Sequence, residues 1–122
     1  MKSSIASALA AAAILAAAPA MAQQAQPYQI AIVPASSGSS SVVVLMNSST
    51  GTAKYSMGDN PFSPIPDPAP GGASVYRIDA YATFDDKQNR SWDVFRTDVK
   101  TGRLWHLACC QTVGWNEIPD AK

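Results

Sequence analysis

Between Asp59 and Gly72 the chain carries five prolines, Pro61, Pro64, Pro66, Pro68 and Pro70. Proline lacks a backbone N–H and fixes φ, so ladder donors are missing at every second or third position. Neither a helix nor a central strand can run through such a segment. It is expected to be an extended, polyproline-like connector over the surface, ending in a flexible Gly71-Gly72 pair. Pro61-Phe62-Ser63-Pro64 matches a P-x-x-P docking pattern, although a stiff strap explains it more simply.

The connector, 59–72, separates two segments with the same order of signals. In the first, 28–57, Tyr28 to Val33 reads as a strand, Ser36 to Ser41 as a Ser/Gly turn, and Val42 to Met46 as a β-branched strand. Asn47 to Gly51 is a turn, and Thr52 to Met57 returns as a third strand. In the second, 75–110, Tyr76-Arg77-Ile78 repeats the Tyr-x-Ile of Tyr28-Gln29-Ile30 and runs on through Phe84. Asp85 to Arg90 is a polar turn, Trp92 to Thr97 the next strand, Asp98 to Gly102 the turn, and Arg103 to Cys110 the return. No window keeps helical periodicity without Pro or Gly intruding. The expectation is an all-β fold, a small antiparallel sheet or open barrel from two three-stranded meanders, with a tail at 111–122.

The turns carry their own chemistry. In Asp98-x-x-Thr101-Gly102 the carboxylate can accept backbone N–H bonds from residues two and three further on. Gly102 can take the positive φ that closes a type I turn in a bulge. Asn47 and Gly51 can play the same parts in the first copy. Asn47, Gly51, Asp98, Thr101 and Gly102 are therefore read as hairpin closure.

Residues 1–22 differ from the rest. They hold 17 apolar residues and a single charge, Lys2, whereas residues 23–122 hold 40 apolar and 17 charged residues in 100. Lys2, the apolar run Ile5–Ala18, Pro19 and Ala20-Met21-Ala22 have the layout of a cleavable signal peptide, with the remaining chain starting at Gln23. The run is too short for an anchor, since spanning takes about 20 apolar residues. The expected location is periplasmic or secreted, with no membrane span after cleavage. Residues 23–122 then form one small domain with eight basic and nine acidic residues, which lacks the basic footprint of a nucleic-acid binder.

The octet Asp98-Val99-Lys100-Thr101-Gly102-Arg103-Leu104-Trp105 resembles the D-x-x-T-G-x-x-W hairpin in blades of quinoprotein-type β-propellers. It also resembles the terminal motif of small uncharacterised exported bacterial proteins. A propeller takes four or more four-stranded blades, and this chain is too short for that, so no cofactor residue carries over. Ser49 to Tyr55 is similar to a loop of periplasmic inhibitors of C-type lysozyme, which would make Lys54 and Tyr55 interaction residues. The paired cysteines of those inhibitors are absent.

Cys109 and Cys110 are the chain's two cysteines. Adjacent Cα atoms lie about 3.8 Å apart, below the usual disulfide range of about 4.4–6.8 Å. A strained vicinal disulfide, free or buried thiols, and intermolecular pairing are all open. His106 and Cys109 would point to opposite faces of a strand, and His106 and Cys110 would stand about 13 Å apart along one face. Metal ligation needs about 2.0–2.3 Å to one ion, so no metal site is assigned. Asp85-Asp86 beside Lys87 and Arg90 reads as a solvated turn, and Asp79 and Asp93 belong to no recognisable catalytic pair. No G-x-S-x-G, P-loop or H-E-x-x-H pattern is present. The aromatics concentrate in the second half, mostly as core, with Trp115 the candidate for an exposed binding patch or a lid.

The reading is a non-catalytic exported binding or envelope-interaction module without a cofactor, whose partner is a protein or envelope component. The alternatives are a periplasmic inhibitor of an extracellular hydrolase such as lysozyme, and a small redox protein using the cysteine pair.

Overall fold

A computed structural model describes residues 27–109 and 112–120. The leader expected over 1–22, its cleavage point and Cys110 lie outside the described residues. Among the described residues eight strands follow one another: β1 (Tyr28–Val33), β2 (Val42–Asn47), β3 (Ala53–Met57), β4 (Ser63–Pro64), β5 (Tyr76–Phe84), β6 (Arg90–Asp98), β7 (Leu104–Ala108) and β8 (Gly114–Ile118). They make two antiparallel four-stranded meanders, β1–β4 and β5–β8, and neither closes into a barrel. Among the described residues no helix is long and apolar enough to cross a membrane.

The all-β architecture is as expected, but each meander has a fourth strand. β4 lies inside the proline-rich segment. It is two residues long and pairs at the sheet margin, Tyr55 opposite Ser63 and Lys54 opposite Pro64, where a missing donor is tolerated. β8 lies in the expected tail and pairs with β7 from Leu104–Ile118 to Ala108–Gly114. With Trp115 its one fully buried side chain, it shows little of the alternation that marks a strand in sequence.

Both main turns close by the same bonds. Asn47 Oδ1 accepts from the N–H groups of Ser49 (2.9 Å) and Thr50 (3.2 Å), and Gly51 N–H donates to Asn47 O at 2.8 Å. Asp98 Oδ1 accepts from Lys100 (3.0 Å) and Thr101 (3.2 Å), and Gly102 N–H donates to Asp98 O at 2.8 Å. Gly51 and Gly102 have φ of 74° and 78°, a conformation that a side chain would strain. Tyr28 pairs with Asn47 and Tyr76 with Asp98, so β1 matches β5 and β2 matches β6 residue by residue.

That match reveals how the sheets stack. Call the face bearing Tyr28 or Tyr76 the front and the face bearing Gln29 or Arg77 the back. In the first sheet the back is inward: Ala31, Val33, Val42, Val44 and Met46 are buried. In the second sheet the front is inward: Tyr76, Ile78, Val94, Arg96, Trp105, Leu107 and Trp115 are buried. The core thus forms between the back of one meander and the front of the next. Val42, Val44 and Met46 have Asp93, Phe95 and Thr97 as counterparts, which face outward on the second sheet. Strand periodicity of two makes each face a separate set of residues, so the two copies needed different side chains on equivalent faces.

The strap is more than a surface connector. Ile65 is part of the core, and its N–H donates to Ala53 O at 3.0 Å. Pro66 O accepts from Trp115 N–H (3.0 Å) and Ala69 O from Trp105 Nε1–H (2.9 Å). Gly71 is needed for close approach: a Cβ there would overlap the Tyr76 hydroxyl and stand 2.9 Å from the Trp105 ring. The Tyr76 hydroxyl in turn donates to Gly72 O at 2.6 Å.

Candidate functional site

The outward back of the second sheet gathers the most varied chemistry on the molecule. Pairing places Tyr81 opposite Asp93, Phe95 opposite His106, and His106 opposite Asn116. Three rings therefore form a row across β5, β6 and β7. Tyr81 and Phe95 meet edge to face at 6.1 Å, and Phe95 and His106 are 5.2 Å apart. His106 Nε2 is 2.8 Å from Asp93 Oδ1, a bond that fixes the orientation of the imidazole. Beside this pair runs an open groove of about 410 Å³ whose apolar side is Phe95 and Ile118 and whose polar side is Asp93, His106 and Asn116. Arg77 Nε pairs with Asp79 Oδ2 at 3.0 Å on the neighbouring strand.

A histidine held by a carboxylate is half of a nucleophile-activating arrangement. Among the described residues no serine or threonine side chain hydrogen-bonds to His106. What the row offers is contact chemistry: exposed aromatic area, a flat sheet surface and charges already paired within the face. Tyr81 is 61% exposed and Ile118 is also exposed.

A second outward surface is the front of the first sheet. Ile30 and Ile32 are 63% and 60% exposed, Tyr28 is exposed beside them, and Val43 and Leu45 are half-buried. Lys54 is the charge on this face; its Nζ lies 5.2 Å from the Phe62 ring centre.

Sequence reasoning missed the charged centre of the core. Arg96 is 0% exposed. Its guanidinium donates to Asp67 through two nitrogens, at 2.8 and 3.1 Å, and to Gly51 O at 2.8 Å. It lies over the rings of Trp105 (4.1 Å), Trp115 (4.9 Å) and Tyr76 (5.7 Å). One residue thereby joins the first turn, the strap and the second sheet. The available signal was small: Asp67 is the single charge between Asn60 and Tyr76, and Arg96 continues the inward series of Trp92 and Val94.

The remaining candidates are dispersed. Lys54 and Tyr55 occupy opposite faces of β3, with Tyr55 packed against the core, so they do not act as one contact pair. Trp115 is corrected outright. It is 1% exposed, a core residue wedged against Arg96 and the strap, and neither a surface patch nor a lid. Cys109 follows β7, half-buried, and is not free; Cys110 lies outside the described residues. No group of three metal-ligating side chains occurs among the described residues. Asp85 closes its loop by accepting from the N–H groups of Lys87 and Asn89, both at 2.9 Å.

Asp98 is buried, and its carboxylate is held below the usual carboxylate range, chiefly because the Ser74 hydroxyl donates to it at 2.7 Å. The ionised form is therefore favoured by folding, and that stabilisation is complete above the ordinary value of about 4 and lost as pH falls through the lowered native value. Asp98→Ala strips three donors of their acceptor and is expected to cost about 1–3 kcal/mol. Asp98→Asn is expected to cost less, because Asn47 closes the equivalent turn with a neutral side chain. Urea titrations should show the gap between wild type and Asp98→Asn narrowing below about pH 4; a gap that widens on acidification contradicts the assignment.

No known protein family, curated protein or solved structure matches the chain.

Proposed function

We propose that this protein is a non-catalytic, exported binding module of the cell envelope whose contact surface is the outward back of the second sheet. The observation that carries the reading is the ring row Tyr81–Phe95–His106 with the adjoining groove. Large rigid rings give contact area at low entropic cost, and the paired charges beside them supply direction. Export rests on the leader pattern in residues 1–22.

The test is a photo-crosslinking residue at position 81, with position 86 in the exposed Asp85–Asn89 loop as the control, in the producing cell. Adducts from 81 and none from 86 are expected. Equal adduct yields, or none from 81, would remove this face from the function.

A further inference from the structure

We propose that the outward back of the second sheet docks on the outward front of the first sheet of another copy, so that the protein assembles head to tail. This rests on the contact surface assigned above and names its partner.

The molecule already contains one instance of the contact. Its core is a back-to-front junction between two matching meanders, and such a junction is heterologous: each sheet offers a different face. A stack of two sheets therefore ends in one unused front and one unused back. The unused front carries Tyr28 and Ile30 where the inner junction carries Tyr76 and Ile78, and Ile32 where it carries Ala80. In the second sheet Tyr76 and Ile78 are buried and Ala80 is half-buried; in the first sheet all three positions are exposed. An exposed row of Tyr28, Ile30 and Ile32 on an edge strand is a liability in a lone molecule, because such surface invites association.

The unused back suits that row. Phe95, Tyr81 and Thr97 stand at the positions of Val44, Val33 and Met46, which fill the inner junction. Its two carboxylates, Asp79 and Asp93, outnumber Arg77 on the same face, so a small acidic excess meets a front that carries Lys54. Arg77 and His106 already pair with those carboxylates at 3.0 and 2.8 Å, so covering them would orphan no charge.

The edge contacts also have counterparts. Inside the chain Gln29 reaches from β1 to β5, donating to Tyr76 O at 2.7 Å and accepting from Ile78 N–H at 3.2 Å. Arg77 occupies the position of Gln29 on the second sheet, placing a donor where it can reach Tyr28 O of the next copy. Tyr76 N–H donates to Ser48 O in the first turn at 2.9 Å. Val99 is the counterpart of Ser48, so its carbonyl would receive the Tyr28 N–H of the next copy. Because each docking leaves a new front and a new back, assembly continues until a ring closes or a filament grows.

The experiment is analytical ultracentrifugation of the chain as its host produces it, alongside Ile30→Glu and Tyr81→Glu, alone and mixed. Species larger than one chain are expected for wild type and single chains for each variant. A one-to-one mixture should give two-chain complexes and nothing larger, since each variant keeps the face that the other has lost. A wild type that sediments as a single chain at high micromolar protein overturns the proposal. So does self-association of either variant alone, which would mean that like faces pair, and so does a mixture that stays monomeric. Should circular dichroism show either variant unfolded, Ile32→Glu and Ile118→Glu replace them on the same two faces. A single-chain wild type with adducts of another mass from position 81 would sink self-association and leave the binding surface standing.

Discussion

Asp67→Ala is expected to destabilise the fold by about 3–5 kcal/mol, the usual cost of removing one partner from a buried ion pair. The reason is the Arg96 guanidinium, which is fully buried among three aromatic rings and has lost solvent on every side. Its bonds to Asp67 replace that solvent at 2.8 and 3.1 Å. Without the carboxylate, Gly51 O remains as its hydrogen-bond acceptor. Removing the charge together with its partner should be milder: Asp67→Ala with Arg96→Met is expected to lie closer to wild type than Asp67→Ala alone, because a methionine among those rings is buried without penalty. Equilibrium urea denaturation of the three proteins decides. A double variant less stable than Asp67→Ala would mean that the pair itself, and not the stranded cation, sets the cost.

Trp105→Ala should rank beside it, at about 3–5 kcal/mol. Trp105 lies wholly in the core, its ring centre 4.1 and 4.7 Å from the guanidinium groups of Arg96 and Arg103, and its Nε1–H bonds the strap at Ala69 O. Alanine would leave a cavity at the point where sheet and strap meet. Trp105→Phe keeps much of the ring but leaves Ala69 O without its donor, and should cost about 1–2 kcal/mol. Since Trp105 and Asp67 share Arg96, their effects should not add: the double variant is expected to lose less than the sum. Additive losses would show that the rings and the carboxylate hold Arg96 independently.

The alternation of β1, β2, β5 and β6 and the two Asx-closed turns were legible in sequence because they are local. Val42-Val43-Val44 and Asp98-x-x-Thr101-Gly102 declare strand and turn without reference to anything distant. β4 and β8 were not legible, one masked by Pro64 and the other by a five-residue run with one buried side chain. Their existence depends on a neighbouring strand, which local propensity does not encode. The Arg96–Asp67 pair was hidden for the same reason, since 29 residues separate its members. The ring row was half legible. Phe95 could be placed opposite Trp92 and Val94, but which of those faces turned outward depended on the stacking of the sheets.

The stacking order also governs the chain's exposure while it is being made. The first meander is complete by Pro64, yet the buried surface of Val33, Val42, Val44 and Met46 has no cover until β5 to β8 exist. Through that interval this apolar face is open to the matching faces of neighbouring nascent chains. Holding the chain unfolded until its last strand is available would close that window. Delivery across a membrane as an unfolded chain has this effect, so a leader on such a sequence would serve folding as well as destination.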